Sequence, residues 1–268
     1  MEIVFLILLL LAFAANFTML CLYYLHMFQL NSYKPHEQLK WLKNNFLPAV
    51  VGRNLGVIVT IPLLLFCSAI GQGISFAVLA VSAYLNRPKK AKKPLVYTNR
   101  VKRMLITLGV LLTLLIAAAA VLGQSFANGL LLPLAQLCAS LLVLLANLIN
   151  RPIEKSINNW YINDAKRMIQ EMPDLKVIGI TGSYGKTSVK FFLNKLLSAK
   201  YNVLMTPESF NTTLGVVKTI RSSLKATHEI FICEMGAKNI GDIKEICDIV
   251  EPDYGIITSI GPQHLESF

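Results

Sequence analysis

The first 150 residues contain four apolar stretches, and the first, Ile3 to Leu30, runs uninterrupted by charge. At about 1.5 Å per residue it is long enough to cross a hydrocarbon layer of roughly 30 Å. The others run from Leu55 to Leu85, Met104 to Leu122 and Leu130 to Ile149. Residues 1–150 therefore read as a multi-pass transmembrane helical region. A cleaved signal peptide is the competing reading of the start, but Glu2 stands where a basic region belongs and the apolar run continues past Ala12-Phe13-Ala14. Composition agrees: 54% hydrophobic residues, 15% charged residues and a mean hydropathy of +0.54 are too apolar for an ordinary soluble enzyme.

The net charge of +11 is unevenly spread. Up to residue 150 there are 12 Lys/Arg against Glu2 and Glu37, and beyond it 14 against 13 acids. The excess follows the apolar half, so it is the Lys/Arg bias of cytoplasmic loops and not a nucleic-acid footprint. Residues 86–103 hold eight Lys/Arg and no acid, whereas residues 123–129, GQSFANG, carry no charge. The first segment is expected inside and the second outside, which returns the chain to the cytoplasm near Arg151. The stretch 31–54 also carries four Lys/Arg, so both flanks of Leu55 to Leu85 look cytoplasmic, although its 31 residues are few for two full spans. Gly71-Gln72-Gly73 offers the turn of a short or re-entrant hairpin. The expected topology has its N-terminus outside and five apolar helices, with a four-helix version as the alternative, in a bacterial-type cell membrane. No acid, Lys or Arg lies within the clear spans, which argues against a pump or channel. Five cysteines form no CxxC pair, and neither disulfides nor a metal-thiolate site is expected.

After Arg151-Pro152 the composition turns to mixed charge and short elements. Residues 151–174 read as an amphipathic linker helix, with Ile153, Ile157, Tyr161 and Met168 on one face, packed on the next domain or on the membrane surface. Residues 175–268 alternate: strand 177–181, helix 186–198, strand 202–205, helix 214–224, strand 229–234, helix 240–250, strand 254–260. This is the pattern of an α/β P-loop domain, a parallel sheet flanked by helices.

The run Thr181-Gly182-Ser183-Tyr184-Gly185-Lys186-Thr187-Ser188 leaves the first of those strands and enters the first helix. Such a loop presents backbone N–H groups and the positive end of a helix dipole to one point, which suits a polyphosphate. Gly182 and Gly185 permit the turn, Lys186 can reach the β- and γ-phosphates, and the Thr187 hydroxyl is placed for Mg²⁺. The spacing departs from the common phosphate-loop pattern, whose first glycine would fall at Ile180.

ITGSYGKTS resembles the ATP loop of the Mur ligases, the ATP-dependent amide ligases of peptidoglycan precursor synthesis. ESFNTTLGV (208–216), EMGAKNIGDI (234–243) and PDYGIITSIGPQHLE (252–266) follow in the family's order. Together they most resemble the MurF-type branch, which adds D-alanyl-D-alanine to the UDP-muramoyl tripeptide. The resemblance covers residues 175–268 and says nothing about 1–150. It implies ATP and Mg²⁺ as cofactors, with Lys186, Glu234 and His264 in catalysis and Thr187, Glu234 and His264 holding metal. Without it, Glu234 is a strand-end carboxylate and His264 a structural histidine. Asn211 matches the first member of an asparagine pair near the phosphates, whose second member is Thr212 here. Glu266 stays open between a structural and a catalytic role.

The family is understood to phosphorylate a carboxylate and let an amine attack the acyl phosphate, so the expected partners are the bilayer, a cell-wall precursor and an amino acid or dipeptide. Two departures bear on this. Membrane helices stand where the family's uridine-nucleotide domain belongs, so the acceptor is expected to be lipid-linked or membrane-proximal. The chain also stops at Phe268, before the family's carbamylated lysine and C-terminal domain, and reads as an incomplete, inactive fragment of a longer ligase. A membrane-bound polyglutamate-type ligase and a non-catalytic nucleotide-binding scaffold are the alternatives.

Overall fold

The computed structural model describes residues 2–66, 69–88, 91–122, 131–208 and 210–261, and the chain divides into two compact units, Met1–Pro152 and Ile153–Phe268. The first unit is helical: α1 (Glu2–Leu30), α2 (Pro35–Asn44), a π-helical turn (Phe46–Val51), α3 (Gly52–Phe66), α4 (Ala69–Asn86), α5 (Asn99–Leu122), α6 (Leu132–Leu137) and the start of α7 (Ala139–Gln170). Its core is built on α1. Phe17, Leu20, Tyr24 and Phe28 pack with Val101, Met104 and Leu108 of α5 and with Val143 and Ala146 of α7. Nearer the N-terminus, Leu9 and Phe13 meet Val57, Leu79 and Leu132. Among the described residues three helices are long and apolar enough to cross a membrane, over Ile7–Leu30, Phe46–Leu65 and Asn99–Ala118, and Ile70–Asn86 is a shorter apolar helix.

Three features differ from the sequence expectations. Gly71-Gln72-Gly73 lies inside α4 and makes no turn. A glycine in a helix costs about 1 kcal/mol, less than the backbone hydrogen bonds a turn there would give up. The apolar helix containing Leu55 begins earlier than its sequence suggests and takes Arg53 with it. The Arg53 guanidinium lies 3.5 Å from the centre of the Tyr23 ring and donates to Asn86 Oδ1 at 3.3 Å. Asn86 donates to Asn16 Oδ1 at 3.2 Å, and Asn16 to Gln136 Oε1 at 2.5 Å. The third difference is α7, which passes through Arg151-Pro152 without a break, so the expected linker helix is its second half. Proline removes one helical hydrogen bond. Here both halves are anchored, Val143 and Ala146 in the helical core and Ala165 and Ile169 in the α/β core. Tyr161 and Met168 pack on that α/β core as their spacing suggests, while Ile153 is 49% exposed.

The second unit carries β1 (Lys176–Thr181), α8 (Lys186–Leu197), β2 (Val203–Met205), α9 (Thr213–Ser223), β3 (Ile230–Glu234), α10 (Asp242–Val250) and β4 (Tyr254–Ile257). Its four strands are parallel in the order β2-β3-β1-β4. Every residue of β3, Ile-Phe-Ile-Cys-Glu, is buried, as expected of a strand covered on both faces. Ile230 and Ile232 pack with Ile180 and with Val189 and Leu193 of α8. Phe231 and Cys233 point the other way, onto Val216 and Ile220 of α9, Ile246 of α10 and Ala165 of α7. The chain leaves β1 toward β2 and β3, then crosses back over β1 to place β4 on its far side. That reversal puts the loops after β1 and β3 side by side at the carboxyl edge of the sheet, where open α/β sheets bind ligands.

Candidate functional site

The residues after β1 form a tight loop because the backbone allows it. Gly182 has φ +139° and Gly185 φ +83°, conformations that side chains rarely adopt. A Cβ on Gly182 would also stand 2.9 Å from the carbonyl oxygen of Ser259. The segment after β4 clamps the loop. Ser183 N donates to Ser259 O at 2.6 Å, Tyr184 N to Ser259 Oγ at 3.2 Å, and Thr258 Oγ1 to Tyr184 O at 2.6 Å. Ser183 Oγ donates to Gly261 O at 2.9 Å. The Ser183 and Tyr184 amides are therefore used within the protein, and the donors left without an intrahelical partner are those of the first turn of α8, at Lys186, Thr187 and Ser188. The Lys186 ammonium folds over the loop, donating to Gly182 O and, at 3.3 Å, to Ser183 O. Thr181 ends β1 opposite Ile257, and Tyr184 and Ser188 are exposed.

Glu234 ends β3 beside Ile180 in register and is 1% exposed. Thr187 Oγ1 lies 3.2 and 3.1 Å from its two oxygens and donates to them. Asn211 Nδ2 donates to Oε1 at 3.2 Å. Asn211 is held in turn by Gly236, whose N–H donates to Asn211 O at 2.7 Å. The Glu234 amide donates to Thr206 Oγ1 at 3.0 Å, which fixes the strand end itself. Cys233, one residue earlier, faces the opposite core, and burial pushes its thiol pKa up, so it stays a thiol.

Lys186, Thr187, Asn211 and Glu234 thus converge from three segments of chain, as their positions in the sequence suggest. His264, the third expected metal residue, and Glu266 lie outside the described residues. Among the described residues no cluster of three His, Cys, Asp or Glu occurs. The oxygen-rich set of Thr187, Asn211 and Glu234 fits a hard cation such as Mg²⁺, and the turn at Gly182 and Gly185 fits a phosphate chain. Sequence reasoning missed Lys190. It lies one helical turn beyond Lys186, is fully buried, and its ammonium is 2.9 Å from Glu234 Oε2 while also donating to Glu208 O. A lysine at that spacing reads as a helix-surface residue, and only the closeness of Glu234 in space gives it a role.

This P-loop unit on a parallel sheet has known counterparts. Residues 180–268 match the Mur ligase middle domain. Similar proteins include the UDP-N-acetylmuramoyl-tripeptide--D-alanyl-D-alanine ligase of Treponema pallidum, 34% identical over 112 residues, covering 39% of this chain and 24% of that protein. The ligase of the same name from Bacillus subtilis is 36% identical over 102 residues, covering 38% of this chain and 22% of its own length. Among solved structures, MurF ligase from Thermotoga maritima in complex with ADP is 34% identical with a TM-score of 0.39, covering 40% of this chain and 25% of that one. The chain therefore spans about a quarter of the length of the relatives it matches.

Proposed function

We propose that this chain is a membrane-anchored, ATP-dependent amide ligase of cell-wall precursor synthesis, using Mg²⁺. The observation that carries this reading is the convergence of Lys186, Thr187, Asn211 and Glu234 beside a phosphate-type loop, within a segment that matches the Mur ligase middle domain. Bound there, ATP with Mg²⁺ supplies the phosphoryl group that makes a carboxylate open to attack by an amine. The chain's part is positioning and charge. Lys186 and the first-turn amides of α8 would hold the phosphates, Thr187 and Glu234 would present oxygens to the metal, and Asn211 keeps the Glu234 carboxylate turned toward Thr187. His264 is proposed to hold a second Mg²⁺.

The substrates proposed are a muramoyl peptide carboxylate and an amino acid or dipeptide amine, the class named in the relatives. We place residues 1–150 in the cell membrane as a multi-pass anchor, with the α/β unit in the cytoplasm. Support comes from three helices of spanning length and from the eight Lys/Arg of residues 86–103. Helices of spanning length ahead of the α/β unit favour a membrane-associated acceptor, because confinement at a surface raises effective concentration without any new contact.

The test is ligation by a full-length, membrane-embedded protein that carries these residues, supplied with ATP, Mg²⁺, D-alanyl-D-alanine and a muramoyl peptide, either soluble or lipid-linked, read as phosphate release and amide product by mass spectrometry. Lys186→Ala is expected to abolish both signals. Removing residues 1–150 is expected to reduce ligation to the lipid-linked acceptor far more than to the soluble one. Retained turnover in Lys186→Ala would overturn the site, and equal loss for both acceptors would reduce the helices to a plain anchor.

A further inference from the structure

The charged side chains gathered at the carboxyl edge do not balance in the way a free metal site requires. Among the described residues Glu234 is the single carboxylate of the hydrogen-bonded network, and it is already neutralised by the Lys190 ammonium at 2.9 Å, both groups being essentially inaccessible to water. Lys186, next to Thr187 in sequence, adds a second positive charge at the loop. Two lysines against one carboxylate leave the described part of the site positive. A divalent cation approaching Glu234 alone meets a paired carboxylate whose Oε2 is held by Lys190 and whose Oε1 is held by Asn211. In a buried, poorly screened setting that opposition is strong.

We infer that Lys190 is a resident counter-cation for Glu234, a positioning residue that makes divalent-metal binding depend on nucleotide binding. This rests on the proposed Mg²⁺–nucleotide reading and adds a coupling to it. Without nucleotide, Lys190 satisfies the buried carboxylate, so that the strand end is stable with no metal. With nucleotide, the polyphosphate would bring the negative charge that the two lysines demand, and Thr187 and Glu234 would then be free to hold a divalent ion. Lys190 also donates to the carbonyl of Glu208, a residue at φ +44°, and so ties α8 to the segment that carries Asn211. One side chain thus fixes both the charge and the position of the carboxylate.

The experiment is Mn²⁺ binding to the full chain in detergent, followed by electron paramagnetic resonance and by thermal melting, with and without ADP. Wild type is expected to bind Mn²⁺ more tightly with ADP than without by roughly 5–150-fold, the usual span of a coupling between two ligands. Lys190→Met leaves the carboxylate without a counter-charge, so affinity for Mn²⁺ alone is expected to rise by about 10–100-fold, the span over which residues behind a metal ligand tune affinity. Melting of that variant should become Mn²⁺-dependent without ADP. Lys190→Arg, which keeps the charge, should behave as wild type. A purely structural lysine would weaken binding in Lys190→Met and leave the ADP dependence unchanged. That result, or equal Mn²⁺ affinity of wild type with and without ADP, overturns the inference. Lys190→Gln, which removes the charge but keeps an amide donor for Glu208 O, carries the same expectation if Lys190→Met does not fold. Wild type that binds Mn²⁺ in neither condition overturns the nucleotide reading and this inference with it, whereas binding with ADP and no gain in a folded Lys190→Met overturns this inference alone.

Discussion

Asn211 shows how single atoms set this site. Its side chain reaches Glu234 only because Gly236 has no Cβ, since one there would stand 2.7 Å from Asn211 Cγ and 2.8 Å from Oδ1. Gly236→Ala should therefore push Asn211 off Glu234 while leaving the sheet intact, because the intrusion falls on a half-buried side chain and not on the core. The expected result is a drop of about 10–100-fold in Mg²⁺–ADP affinity, as for other residues that orient a metal ligand, with cooperative melting retained. A fluorescent-nucleotide titration checks this, and unchanged affinity would mean that Asn211 does not orient Glu234. The loop was readable in the sequence because an apolar strand gives way to Gly182 and Gly185 before a helix, whereas Glu234 stood out only through the family resemblance. Lys190, Thr206 and Ser259 were not readable. Each owes its role to a partner brought close by the fold, and nothing in its own neighbourhood marks it.

At the scale of elements, β1 is joined to the residues before β4 by a carboxylate. Asp253 accepts from Val177 N at 2.9 Å and pairs with Lys176 at 3.2 Å, and the Val177 amide, more than Lys176, holds its pKa below the ordinary 3.8. Across the unit, Asp164 of α7 accepts from Arg221 of α9 at 2.7 Å, and that bond likewise lowers its pKa. A carboxylate with a depressed folded pKa adds stability above its unfolded value, and this contribution is lost as pH falls through the folded value. The α/β unit is therefore expected to lose stability as pH drops below about 3.8, the unperturbed value for Asp. Asp253→Asn should lower the melting temperature at neutral pH and flatten that acid limb, because the contribution it removes is present only above the limb. An acid limb of unchanged steepness would remove Asp253 from the account. The alternating strands and helices of this unit were legible because each strand is a short apolar run closed by a turn residue. The passage of α7 through Pro152 was not, because a proline after a polar Asn-Arg pair signals a boundary locally, and what keeps the helix whole is packing at both ends.

At the scale of the molecule, the account joins an apolar helical unit to a nucleotide-type α/β unit through one helix. Charge patterning motivates the proposed orientation, in which the basic segment 86–103 faces the cytoplasm. Helices of spanning length were legible in the long apolar runs, but where each one starts was not. Between Leu55 and Leu85 the described residues include the end of a helix of spanning length, Phe46–Leu65, and most of a shorter apolar helix, Ile70–Asn86. The central claim is a cytoplasmic nucleotide site, dependent on Lys186, on a membrane-embedded chain. Photolabelling with an azido-ATP analogue and Mg²⁺ in sealed vesicles of opposite orientation tests it most directly. The account predicts that the chain stays with the membrane after alkaline washing and is labelled in inside-out vesicles only, with the label lost in Lys186→Ala. Labelling of intact right-side-out vesicles, or equal labelling of wild type and Lys186→Ala, would contradict it.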